Sequence, residues 1–216
     1  MTNVLINPNR FFEERSKEEI SLKMPFLIIL IIGIISAISA YISNSAIMEN
    51  LPVPAEAKPF MAITSIVTLI TTPLIFLLFW LIYSGAFQGI SILFKGEGEF
   101  KRTLEFTGYG FMPSIFSSII SLIVTYYYVA PALSNIQFSM DDPALLQESI
   151  QQAMMANPAM VASTILGTLF TIWSANIWIF GVKHARGLST RDALISVAIP
   201  VGIMISISMF PLISAM

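Results

Sequence analysis

Five long stretches of this chain hold no charged residue: 24–48, 59–94, 106–140, 149–182 and 193–216. A bilayer core of about 30 Å takes roughly 20 apolar residues of helix, at ~1.5 Å each, to cross. Each stretch is long enough for one crossing, and only a helix that bonds its own backbone groups can make it through lipid as a single segment. The chain therefore reads as an all-α, polytopic membrane protein of five transmembrane helices, with spans near 25–44, 69–94, 110–132, 160–182 and 193–214. Composition agrees: 56% of residues are hydrophobic and 11% charged, at a mean hydropathy of +0.79. A soluble domain carries about 25% charged residues.

The eleven lysines and arginines fix the orientation. Four precede the first span (Arg10, Arg15, Lys17, Lys23), three follow the second (Lys95, Lys101, Arg102) and three follow the fourth (Lys183, Arg186, Arg191). Only Lys58 belongs to the other side. By the positive-inside rule the N-terminus is cytoplasmic and the C-terminus outside. Residues 1–24 then form a cytoplasmic N-terminal segment and 25–216 a five-helix membrane domain of the cell membrane. A cleaved signal peptide is the rival reading of the first span, with small residues between Ala37 and Ala46. The 24 residues before Pro25 are long for a signal and include four glutamates, which favours an uncleaved span.

Short interfacial helices are expected at two places. Asn7-Pro8 supplies a cap and a first-turn proline, and Phe12, Ser16 and Ile20 follow on one face, flanked by Phe11. This predicts a helix at the cytoplasmic interface with its phenylalanines among the headgroups. Asp141-Asp142-Pro143 opens a similar pattern, predicting an outer-surface helix over 143–156 that ends near Asn157-Pro158. Ser189 and Asp192 have capping-box spacing for the last helix. Tyr126, Tyr127 and Tyr128 suit an outer aromatic belt and Trp178 the inner end of the fourth span, whereas Trp80 sits too deep for a belt. Pro73 is expected to kink the second apolar stretch or end a lead-in. The loops Lys95–Gly98–Arg102 and Lys183–Gly187–Arg191, leading to Pro113 and Pro200, hint at two parallel hairpins.

The third span carries Ser114, Ser117, Ser118, Ser121 and Thr125 on one helical face; the second has Gly85 and Gly89, and the fourth Thr164, Gly167, Thr168 and Thr171. Close helix packing is the ordinary use of such stripes. The sharper reading is a polar groove formed by Ser114, Ser117, Ser118 and Ser121 with Asn176. Asn176 itself is more ordinarily a helix–helix hydrogen bond.

Chemistry is sparse. No Asp, Glu, Lys, Arg or His lies inside a predicted span, which argues against ion-coupled transport. His184 is the one histidine and cysteine is absent, so no metal centre, cofactor or cysteine nucleophile is expected. His184, between Lys183 and Arg186, reads as solvated or headgroup-bound. A net charge of −2 gives no reason to expect nucleic acid.

Three segments carry a resemblance. Asn7-Pro8-Asn9-Arg10-Phe11-Phe12, then Gly96 to Leu104 with Gly108-Tyr109-Gly110-Phe111-Met112-Pro113, and finally Gly181 to Ser189 resemble the Yip family, Ypt/Rab-interacting membrane proteins, in a prokaryotic form. The resemblance implies a non-catalytic membrane protein. Eukaryotic members bind prenylated GTPases; the short segment before the first span lacks their acidic-hydrophobic motif, so GTPase binding is not carried over.

Two functions from different classes follow. The first is a membrane interaction or organising module, partnered by lipids and by other membrane proteins or a second copy. Its cytoplasmic surface would comprise Phe11, Phe12, Lys95, Phe100, Lys101, Arg102, Tyr109, Lys183, Arg186 and Arg191. Neutralising Arg102 and Arg186 is then expected to weaken contact with anionic lipid. The alternative is a passive transporter, permease component or lipid scramblase working along the third-span serines.

Overall fold

The computed structural model describes residues 2–50, 56, 58–134 and 157–214. Two short helices open the chain, α1 (Thr2–Ile6) and α2 (Pro8–Arg15), followed by the long α3 (Lys23–Asn50) and α4 (Lys58–Ile92). Next come α5 (Phe100–Gly110), α6 (Met112–Val124), a π-helical turn at Thr125–Val129, and α7 (Ala130–Ser134). The last two are α8 (Pro158–Arg186) and α9 (Thr190–Ser214). No strand occurs among the described residues. The expected helix over 143–156 lies outside them.

Five segments among the described residues are long and apolar enough to cross a membrane: Lys23–Met48, Ile63–Ile92, Met112–Ser134, Pro158–Arg186 and Thr190–Phe210. Their outward side chains are apolar. Ile66, Ile70, Leu74, Leu78 and Ile82 of α4 all lie exposed, an arrangement that only lipid tolerates over such a length. The protein is therefore a multi-helix membrane protein, as its charge-free stretches predict.

Helix ends follow their local chemistry. Asn7 Oδ1 accepts from the Arg10 amide at 3.2 Å, with Pro8 in the first turn. Asn157 caps α8 through the Ala159 amide at 3.0 Å, so Asn157-Pro158 starts a helix. Gly187 ends α8 in the left-handed region (φ 63°), where glycine has no Cβ to clash. Ser189 Oγ accepts from the Asp192 amide at 3.2 Å and donates to Asp192 Oδ2 at 2.7 Å, the box that opens α9.

Three features depart from the local pattern. α4 continues as helix through Pro73, so no lead-in ends there, and Gly33 of α3 packs directly against that proline. The chain enters the third span through a break at Phe111, where α5 stops and Pro113 starts α6. The last hairpin passes straight from Gly187 into α9 with no counterpart of α5. The two hairpins are thus not equivalent.

The main apolar core gathers at the end of the bundle that carries most of the basic residues. Trp178 lies at its centre, stacked 5.7 Å from Tyr83 and edge-on to Phe111 at 4.9 Å. Trp178 is 1% exposed and Trp80 5%, so both are interior residues and neither serves as a belt. Each indole nitrogen donates to a carbonyl of α5, Trp80 to Leu104 and Trp178 to Thr107, both at 2.8 Å. Glycines make room for them. A Cβ on Gly108 would stand 2.5 Å from Pro25 and 3.0 Å from the Trp80 indole nitrogen, and one on Gly110 would collide with the Trp178 ring.

A Cβ at Gly33 would lie 2.8 Å from the Pro73 backbone, whereas one at Gly85 meets nothing within 4 Å. Gly33→Ala is expected to cost about 1–3 kcal/mol from overpacking. Gly85→Ala should be neutral or slightly stabilising. Unfolding midpoints of the two variants in the same detergent check the contrast.

Candidate functional site at the basic end of the bundle

The N-terminal helices are part of the packed core. Phe12 is 0% exposed, with its ring 4.7 Å from Phe106 and against Gly181. Phe11 packs edge-on to Tyr109 at 5.1 Å and is half-buried. The expectation that both phenylalanines sit among headgroups is corrected for Phe12. Gly181 leaves a gap on α8, and filling it with an aromatic ring removes more apolar surface from water than the interface would.

Beneath α2 lies a carboxylate with no exposure. Glu105 is 0% exposed and is met from two sides. Arg15 Nε donates to Glu105 Oε1 at 2.8 Å with Nη2 at 2.6 Å, and Arg102 Nη1 donates to Oε2 at 2.8 Å. The Ser21 amide adds a bond to Oε1 at 3.2 Å. The arginines are tied further: Arg15 to Glu18 and to the Glu19 carbonyl at 2.9 Å, Arg102 to the carbonyls of Arg15 (3.2 Å) and Glu18 (2.6 Å). Burial works to lower the Arg15 pKa, but the bond and charge of Glu105 outweigh it and hold it above its ordinary value. Burial also pushes the Tyr109 phenol up, against the pull of the Arg15 charge.

Arg186 forms a second knot. It is 4% exposed and donates through Nε to Ser91 Oγ at 2.8 Å and through Nη1 and Nη2 to the carbonyls of Gly98 and Gly96. Its own carbonyl accepts from the Glu97 amide at 2.9 Å. One guanidinium thereby fastens the loop after α4 to the loop after α8. Gly98, at φ 128° and pressed against the Ala185 carbonyl, allows that approach. His184 is half-buried rather than solvated, with Nε2 2.9 Å from Asn9 Oδ1, and Lys183 Nζ donates to the same oxygen at 3.1 Å.

The predicted surface residues therefore divide. Phe12, Tyr109 and Arg186 are buried, while Phe11, Arg102 and Lys183 are half-buried and engaged within the chain. Lys95, Phe100, Lys101 and Arg191 are exposed. Arg102 and Arg186 are corrected from lipid contacts to internal braces, because each finds acceptors that the apolar end of the bundle cannot otherwise satisfy. Glu105 and Arg15 are the residues that sequence reasoning passed over as a site. The available signal was the i, i+3 spacing of Arg102 and Glu105 at the edge of a charge-free stretch.

The predicted groove does not assemble as proposed. Ser118 is buried and donates to the Ile115 carbonyl at 2.8 Å, while Ser114, Ser117 and Ser121 are half-buried. Ser117 lies 3.6 Å from where a Gly167 Cβ would sit, so α6 and α8 meet through small residues. Asn176 is exposed on α8. Nine residues separate it from Gly167, and at about 100° each that is half a turn, so it faces away from the seam. Thr164, Thr168 and Thr171 bond carbonyls of their own helix at 3.0 Å. Ser174 Oγ is buried without a partner among the described residues.

An open cleft of about 260 Å³ remains beside α2, lined by Phe11, Glu14, Arg15, Glu18, Met24 and Tyr109. Among the described residues no three His, Asp or Glu side chains group as metal ligands.

Comparison with known proteins adds three findings. The family model of the Yip1 domain matches residues 2–210. An uncharacterised protein of Methanocaldococcus jannaschii is 47% identical over 127 residues, which are 59% of this chain and 89% of the relative. No solved structure matches.

Removing the buried carboxylate should leave two desolvated guanidiniums facing each other. Glu105→Gln is expected to cost about 3–5 kcal/mol, the range for breaking a buried ion pair on one side. Replacement of exposed Glu99 by Gln should change little. Chemical denaturation of both variants in detergent distinguishes the outcomes.

Proposed function

The chain belongs to the Yip1 domain family, and from that premise we propose that it is a non-enzymatic module of the cell membrane whose cytoplasmic face organises lipid and neighbouring membrane proteins. One observation carries this reading. With Arg15, Arg102 and Arg186 taken up inside the protein, Lys95 stays exposed on the loop after α4 and Lys101 and Arg191 on the first turns of α5 and α9, next to the loops that Arg186 holds together. The tied loop and the two helix starts hold these cations in place, so they are presented without the ordering cost of a floppy segment. Each lysine or arginine near an anionic bilayer surface is worth about 1 kcal/mol. Phe100, 41% exposed at the start of α5, gives the same face an apolar contact at headgroup depth.

The passive-conduit reading rests on the α6 serines and on the Ser174 hydroxyl, which has no partner among the described residues. The close approach of Ser117 to Gly167 and the outward position of Asn176 weigh against it. It predicts flux in proteoliposomes that Ser117→Leu abolishes while the protein stays folded. The module reading predicts no flux above empty liposomes.

The triple variant Lys95→Gln, Lys101→Gln, Arg191→Gln should bind anionic lipid up to roughly a hundredfold more weakly at low salt. Its unfolding midpoint should hold, since none of the three is buried. Anionic lipid retained per protein after delipidation measures this. Retention equal to that of the parent protein would remove the lipid-facing role.

A further inference from the structure

We propose that the cleft between α2 and the start of α3 is a binding site for the ammonium-bearing headgroup of an aminophospholipid. Its walls are Phe11 and Tyr109, two rings in edge-on contact, with Met24 closing the membrane side. Glu14 and Glu18 line it, and Arg15 stands between them in sequence. An ammonium group is satisfied by this combination: carboxylates neutralise it and aromatic rings attract it through their π-systems. The adjoining guanidinium of Arg15 supplies a donor for the phosphate that an aminophospholipid carries one short linker away.

Position identifies the occupant as a lipid. Met24 lies in the first turn of α3, and Phe26 and Leu27, two and three residues on, are each 44% exposed on the lipid-facing surface. The cleft thus lies next to the point where the chain enters the bilayer. About 260 Å³ falls below the ~300–1,000 Å³ of pockets for drug-sized ligands, a size for a headgroup whose tails stay outside. Purely anionic headgroups fit poorly because two carboxylates repel them.

The carboxylates are free to respond. Glu14 pairs with Arg10 at 2.8 Å and Glu18 with Arg15, and both glutamate side chains are more than half exposed, at 55% and 63%. The Arg10–Glu14 pair, exposed on both sides, holds weakly and exchanges readily, and the free side of Glu18 faces solvent beyond a largely buried Arg15. The Arg15–Glu105 pair underneath is buried and keeps the floor in place. The site shares no residue with Lys95, Lys101 or Arg191, so it stands or falls apart from the basic loops.

The test uses the full chain in detergent, titrated with phosphatidylethanolamine or phosphatidylglycerol of the same acyl chains and followed by native mass spectrometry. Glu14→Gln with Glu18→Gln is expected to weaken phosphatidylethanolamine binding about tenfold or more while leaving phosphatidylglycerol binding no weaker than before. Phe11→Leu should weaken the same lipid by a smaller factor, and added phosphoethanolamine should compete for it. Phosphatidylethanolamine binding that is unchanged in the double variant, with an unchanged unfolding midpoint, would overturn the proposal. So would a lysine-rich peptide that needs both glutamates when the lipid does not, which would assign the cleft to a protein partner.

Discussion

A carboxylate without access to water organises the basic end of this protein. Taking Glu105 out of solvent costs several kcal/mol unless the lost hydration is replaced. The replacement comes from Arg15 on one side and Arg102 on the other, with the Ser21 amide as a third donor. Arg15 ends α2, Ser21 stands just before α3, and Arg102 and Glu105 belong to α5. Satisfying one oxygen pair therefore sets where the N-terminal helices lie relative to the membrane bundle. The aromatic contacts of Phe11 and Phe12 can form only in that arrangement.

The same reasoning explains why α5 exists as a separate short helix. Thr107, one of its last four carbonyls, has a donor in the Trp178 indole, and Leu104 has one in Trp80. Indoles reach those carbonyls because Gly108 and Gly110 present no side chain. Glycine at both places is a steric requirement, and the break at Phe111 lets α6 leave at its own angle. Arg186 plays the matching part on the loops. Its three donors take the carbonyls of Gly96 and Gly98 and the Ser91 hydroxyl, and so tie two connections into one unit.

Much of this was legible in the sequence, and for definite reasons. Span number depends on runs of uncharged residues, which are local. Caps depend on neighbours three residues apart, so Asn7, Ser189 and Asp192 could be read directly. The family resemblance was carried by glycines and aromatics whose meaning became clear only in three dimensions. Which arginines would be internal was not legible, since Arg15 and Glu105 are 90 residues apart and Arg186 and Ser91 are 95 apart. A charge near a span end looks the same whether it faces a headgroup or a carbonyl. Asn176 was misplaced for a related reason: its angular position was countable, but the side of α8 that faces α6 was not.

Those long separations also set an order on biogenesis. When the first span leaves the ribosome, Arg15 has no Glu105 to meet, because that residue has not yet been made. Newly inserted α3 and α4 must wait beside an undocked N-terminal segment until α5 follows them. The loop after α4 waits longer, until Arg186 emerges behind the fourth crossing. The basic end of the bundle consequently closes only once α8 has been made, and a nascent chain stalled before α8 would present an open, cation-rich end to whatever machinery surveys unfinished membrane proteins.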